Sequence, residues 1–361
     1  MTEQPQVRFF LGANSPAGFY SLYDQLIDRS RAEDYFLLKG GPGCGKSTLM
    51  RRVAARVEES GRAVEYILCS GDPDSLDAIV VPELGAAIVD ATAPHVVEPK
   101  EPGVLERYVN LGACYDTAAL KSIRGELREA MEGYGACYHR AYRCLRAAEE
   151  IRADLRSVLI TPEVEARLRR RAEGILSREC KKTGGEPGRA VQRFLNAVSC
   201  RGELCLFDTV GALCSRVYEL WDHYGLAHTL LTTLAAGAMA AGYDVIVCPD
   251  PLAPERILHL LVPALSLAFV TSSSELPYEG KRPYRRLRLD AMADQDALRT
   301  GRARVRFARR VVRALVEEAV EDLAQAKGMH DALERLYNPH VDFEAVHTQA
   351  GRIAGMLLEG R

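Results

Sequence analysis

No segment of the 361 residues approaches eighteen uninterrupted apolar positions, which excludes a helix that crosses a bilayer. The opening Met1-Thr2-Glu3-Gln4-Pro5 lacks the basic-then-apolar order of a secretory leader. Net charge is nearly absent: 47 Lys and Arg against 49 Asp and Glu leave −2, which gives no global bias toward nucleic acid or membrane. There are ten cysteines, yet none form a Cys-x-x-Cys pair and most sit in apolar or helical text. They read as buried thiols of a reducing, cytoplasmic compartment rather than as disulfides or a zinc site. No Asn-Lys-x-Asp occurs, which removes the best sequence argument for guanine and leaves adenine as the default base. No ABC-type signature sequence is evident either.

What is present is the run Gly40-Gly41-Pro42-Gly43-Cys44-Gly45-Lys46-Ser47-Thr48, a complete Walker A pattern. It lies between the apolar Tyr35-Phe36-Leu37-Leu38, read as a strand, and a helical pattern over about 46–60. Glycines let successive backbone N–H groups turn toward one phosphate chain, Lys46 is expected to reach the β- and γ-phosphates, and Ser47 to ligate Mg²⁺. The helix that follows aims its positive end at the same anion. ATP and Mg²⁺ are therefore the expected ligands, with Lys46 and Asp90 as the expected catalytic residues and Ser47 and Asp90 as the expected metal ligands. Asp90 closes the apolar run Gly85-Ala86-Ala87-Ile88-Val89. Asp72, Asp74 and Asp77 compete with it, although Asp-Pro-Asp-Ser is also turn text. Ala91 and Thr92 follow Asp90 where many ATPases place a glutamate, so either another acid such as Glu83 or Glu98 serves, or hydrolysis is slow, or a bound substrate replaces water; His95, near the expected strand end, is placed to face the phosphates.

The chain also repeats itself. Thr48, Gly61, Pro82 and Leu84 recur as Thr229, Gly242, Pro263 and Leu265, each 181 residues later. Carried onto the loop, the same spacing sets Trp221, Asp222, Leu226, Ala227 and His228 against Gly40, Gly41, Gly45, Lys46 and Ser47. The second copy is thus expected to keep the fold and to lack a triphosphate site. Strands near 7–11, 64–69 and 86–89, a helix near 18–29, helical text from 117 to 178 and a long amphipathic helix over 303–336 complete the reading, with a linker at 181–188. Alternation of short apolar strands with helices implies a parallel sheet covered on both faces. The expected class is α/β: tandem P-loop NTPase-like three-layer αβα domains with helical extensions, over 1–185 and 186–361. The arginine-rich stretch 281–313 reads chiefly as a solvated helix face and only weakly as a nucleic-acid surface, because aromatic interleaving is sparse.

The residues resemble a family of uncharacterised, duplicated bacterial P-loop ATPases, labelled as ATPases or nucleotide kinases. The resemblance rests on Phe10-Leu11-Gly12-Ala13-Asn14 with Gly18-Phe19, on Lys39 through Thr48, on Cys69 through Asp77, on Ile88 through His95, and on Asn110-Leu111-Gly112. It continues in His330-Asp331-Ala332-Leu333-Glu334 and Asp342-Phe343. It implies a tandem architecture and an ATPase whose nucleotide state changes the contact between halves, with a small-molecule kinase or an ATP-dependent regulatory module as alternatives. In that family glycine usually follows the aspartate and the second copy commonly keeps its loop; this chain has Ala91 and a ruined second loop.

Overall fold

The computed structural model describes residues 6–359, so the leader reading at Met1–Pro5 lies outside the described residues. In chain order the first half runs β1 (Val7–Phe10), β2 (Gly12–Ser15), β3 (Gly18–Ser21), β4 (Asp34–Lys39), α1 (Lys46–Glu59), β5 (Glu65–Leu68), β6 (Leu76–Val81), β7 (Ala86–Asp90) and β8 (Glu106–Asn110). Helices α2 (Thr117–Ser122), α3 (Arg124–Met131), α4 (Tyr134–Leu159) and α5 (Pro162–Glu179) follow. The second half repeats the plan as β9 (Ala190–Gln192), β10 (Asn196–Ser199), β11 (Gly202–Cys205), α6 (Phe207–Leu213), β12 (Arg216–Trp221), α7 (Ala227–Ala240), β13 (Val245–Asp250), β14 (Ala253–Val262), β15 (Leu267–Ser272) and β16 (Arg285–Arg288). It ends in α8 (Gln295–Thr300), α9 (Arg302–Tyr337) and α10 (Phe343–Glu359).

Two six-stranded sheets carry the same order, β1-β5-β6-β7-β4-β8 and β9-β13-β14-β15-β12-β16. The protein is α/β, but its sheets are mixed where parallel ones were expected. β6 runs antiparallel to β5 and β7, and β14 antiparallel to β13 and β15. The cause is the short connection over 69–75, which turns on Asp72 and is too brief for the dozen or more residues of a crossover. β4 does run parallel to both neighbours, β7 and β8.

The helix expected near 18–29 is also replaced. Gly18 has φ +107°, and the Ser15 hydroxyl donates to its carbonyl at 2.7 Å, closing the β2–β3 hairpin. Only a 3-10 turn, Tyr23–Gln25, remains helical. All ten cysteines are free thiols; Cys44, Cys137, Cys214 and Cys248 are buried and the other six are partly exposed.

Side chains along the second sheet alternate between two cores, as a pleat of period two requires. Leu260, Val262, Leu267 and Phe269 join α7, whereas Leu261, Ala268 and Val270 join a cluster shared with the first half. A helical layer on each face was expected; one face of the second sheet instead packs into this common core.

The helical extensions cross between halves. α4 and α9 pack along each other, α5 packs on α7, and α10 packs on α1. α5 presents Val164, Leu168, Ala172 and Ile175, and α10 presents Val346, Ala350, Ile353, Ala354 and Leu357, each set at three- and four-residue spacing on one buried stripe. The close approach of α5 needs a glycine: a Cβ at Gly237 of α7 would lie 2.2 Å from Leu176.

Candidate functional site

The loop 40–45 leaves the carboxyl end of β4 and enters α1 at Lys46. Gly43 and Gly45 hold φ of +67° and +82°, left-handed values that side chains resist. Gly45 caps α1 with no side-chain acceptor, so the first amides of the helix are left for an outside anion. Lys46 Nζ donates to the carbonyls of Gly40 at 2.7 Å and Gly41 at 3.0 Å, and lies 3.4 Å from Asp90 Oδ2. Ser47 Oγ accepts from Leu76 N at 3.0 Å, tying the helix start to β6. Cys44 is packed beneath the loop, and burial pushes its thiol pKa up. The Tyr115 hydroxyl donates to Pro42 O at 3.2 Å, and Thr48 faces solvent.

Asp90 ends β7 in register with Leu38, which brings its carboxylate to the loop. Its Oδ1 accepts from Thr92 N at 2.9 Å and Thr92 Oγ1 at 2.5 Å, fixing the rotamer while Oδ2 faces Lys46. Asp77 lies just beyond the last β6–β7 pair, Ala78 with Val89, and is buried. It accepts from the Tyr23 hydroxyl at 2.8 Å and lies 3.3 Å from His95 Nε2. Burial opposes charge on His95, but Asp77, with Asp90 behind it, outweighs burial and raises its pKa. His95 Nδ1 is buried without a partner.

The other acids are placed elsewhere. Asp72 accepts from Ser75 Oγ at 3.0 Å and meets Lys327 of α9 at 3.4 Å, while Asp74 pairs with Arg201. Both join the halves. Glu98 is held by Lys39 Nζ at 2.9 Å. Glu83 sits in the turn before β7, at the opposite end of that strand from Asp90, which removes it as a base acting at the loop.

Residues from the far end of the chain complete the site. Glu334 Oε1 accepts from Gly43 N at 3.3 Å. The Asn338 amide, turned so that its nitrogen faces acceptors, donates to Gly43 O at 2.9 Å and Glu334 O at 3.2 Å. Phe343 and Val346 of α10 lie against Gly45. His330, Asp331 and Glu334 offer ligand atoms within 4.8 Å of one another, and Lys327 pairs with Asp331. Sequence reading reached 330–334 only through resemblance. No local pattern connects it to a loop almost 300 residues earlier.

The second copy is built on the same contacts with different groups. His228 Nδ1 accepts from Ile257 N at 3.0 Å, repeating the Ser47–Leu76 contact at the 181-residue spacing. Thr271, paired with Leu220, stands where Asp90 pairs with Leu38. The Asp222 carboxylate, 6% exposed, accepts from Ala227 N at 2.7 Å and Tyr224 N at 2.9 Å. Burial raises its pKa and these amides work against that rise. Amides of this loop are therefore satisfied by the chain itself.

Five of the eleven arginines of 281–313 pair with acids, Arg299 with Asp296 among them. Arg286 grips Glu219 with two nitrogens at 2.7 and 2.6 Å, Arg309 meets Glu275, Arg304 meets Asp154, and Arg313 meets Glu317. Such pairing fits a solvated protein face.

A family model described as Nephrocystin 3, N-terminal, matches residues 21–80, a stretch containing β4, the glycine loop, α1 and β5. The match spans less than a fifth of the chain and names no bacterial ATPase family. No curated protein and no solved structure matches the chain. Among the described residues, no helix is long and apolar enough to cross a membrane.

Proposed function

We propose that the chain is a P-loop NTPase-like protein that binds Mg-ATP at one site in its first half and hydrolyses it slowly, with the second half as a partner that binds no nucleotide. The observation that carries this reading is the convergence of Lys46, Ser47 and Asp90 on a left-handed glycine loop at the ends of β4 and β7. The residues fit the group: uncapped amides at the start of α1 suit phosphate oxygens, and the oxygens of Ser47 at the helix start and Asp90 at the end of β7 are of the kind a hard cation takes. Gly40–Lys46 would hold the phosphates, and Ser47 and Asp90 the magnesium. Magnesium bound there supplies charge neutralisation at the transferring phosphoryl group. The protein's own residues position the loop, and Asp77 orients His95 beside it.

Phosphoryl transfer to a small hydroxyl acceptor is the second reading. The buried, unpartnered Nδ1 of His95 favours it, since a ring nitrogen near the loop suits an acceptor hydroxyl better than bulk water. Titration of a non-hydrolysable ATP analogue into the full chain tests the binding claim. One site per chain is expected, abolished in Lys46→Ala while the fold stays intact. Two sites, or unchanged affinity in a folded mutant, would overturn it. Labelled ATP with and without nucleosides then separates hydrolysis from transfer.

A further inference from the structure

A group of half-buried basic side chains lies outside the glycine loop, in a cavity of the second half. It has a volume of about 220 Å³ and opens at the carboxyl ends of β12 and β15, where open α/β sheets collect ligands. Arg152 and Arg156 reach it from α4, Arg256 from β14 and His228 from α7.

The ion pairs are uneven. Arg152 meets Asp250 and Glu149, and Arg156 meets Glu149. Among the described residues Arg256 has no ion-pair partner; its one hydrogen bond runs to Gly225 O at 2.6 Å. A guanidinium carries five donors, so most of its fork is left to the cavity. Burial lowers the pKa of Arg256, and Arg156 and Arg152 lower it further, the mark of a cation among cations. Asp250 opposes this lowering more strongly than Arg152 adds to it, and Glu149 opposes it less, but both acids are already committed to Arg152 or Arg156. Glu203, exposed on β11, and Glu275, paired with Arg309, also line the cavity.

His228 adds a neutral donor. Because Nδ1 accepts from Ile257 N, the neutral ring carries its proton on Nε2. Burial, then Arg256, holds the imidazole pKa down. The loop amides cannot serve the same anion, since Asp222 takes them.

We propose that this cavity binds a small phosphomonoester, its phosphate held by the Arg256 fork with Arg152, Arg156 and His228 around it. Guanidinium forks match phosphate oxygens, and a volume below the roughly 300 Å³ where ordinary ligand pockets begin selects a metabolite of few carbons. The proposal stands apart from the ATP reading and is tested with the loop disabled.

The experiment uses the full-length Lys46→Ala protein with inorganic phosphate and glycerol 3-phosphate as probes in equilibrium dialysis. Saturable binding of one probe per chain is expected, weakened about tenfold or more by Arg256→Gln and less by Arg256→Lys. Phosphate should also protect Arg256 from phenylglyoxal, read by mass spectrometry, a measurement that needs no change at the site itself. No saturable binding, equal affinity in Arg256→Gln, or unprotected Arg256 at saturating phosphate would each overturn the assignment.

Discussion

Ile353→Ala tests whether the last helix is part of the first half's core. Ile353 is 1% exposed on the α10 stripe that packs on α1, in the same cluster as Leu49, Met50 and Val53. Truncating a fully buried isoleucine removes its transfer free energy and leaves a cavity, at a cost of about 2–5 kcal/mol. Whole domains hold only about 5–15 kcal/mol, so this one change is a large fraction of the total. With urea slopes of about 2–3 kcal/mol/M, the midpoint should fall on the order of 1–2 M. Ile353→Val should cost only about 0.5–1.5 kcal/mol. Location matters as much as size. Hydrogen exchange should speed in Lys46–Glu59, almost 300 residues earlier, and change least in α7. Unchanged protection of α1 in a destabilised Ile353→Ala protein would refute the packing argument, and an unchanged midpoint would refute the burial argument.

Asp90→Asn should lower magnesium-dependent turnover more than nucleotide affinity, because the loop amides survive the change; equal turnover across a magnesium titration would move the metal role to Asp77. Glu334→Ala frees the Gly43 amide and removes a negative charge from the loop, so nucleotide affinity should rise about threefold, given the partial exposure of Glu334. A fall in calorimetric affinity would instead make Glu334 a ligand contact. His259 is fully buried, donates from Nε2 to Asn196 and accepts from Thr271 N; burial, only partly opposed by Asp250, holds its pKa down at about 3. The folded state therefore binds fewer protons than the unfolded one, so this contribution is full above about pH 6.5 and is lost as pH falls toward 3. Urea midpoints between pH 7 and 4 should drop less steeply in His259→Asn than in the native chain; parallel curves would contradict this.

How much of this was legible depends on how local each signal is. The loop and its strand and helix follow from neighbouring residues, and their bounds at β4 and α1 agree with the sequence reading. The 181-residue echo was legible because helix starts and turns keep small or rigid residues, such as Pro82 and Pro263 ahead of β7 and β15. β6 was passed over because Leu76–Val81 contains Asp77, a charge buried only because Tyr23 and His95 meet it. Tyr23 itself was assigned to a helix, since Phe19, Tyr20, Leu22, Tyr23 and Leu26 suit helical and extended spacing alike. The reach of Glu334, Asn338 and Val346 to the loop was illegible, as it depends on α9 and α10 returning to the first half. Asp222 entered the sequence reading only as the replacement for Gly41. Its effect, occupying the loop's own amides, required the backbone to be seen.

That carboxylate has a further consequence. A carboxylate fixed to the loop by a covalent bond cannot be diluted, competed away or released, so the amides of Tyr224 and Ala227 keep their partner whatever the solution holds. Under the proposed function only the first loop would exchange an empty state for an occupied one. Any nucleotide-driven movement under the proposed function would then meet a second loop whose amides do not change partner.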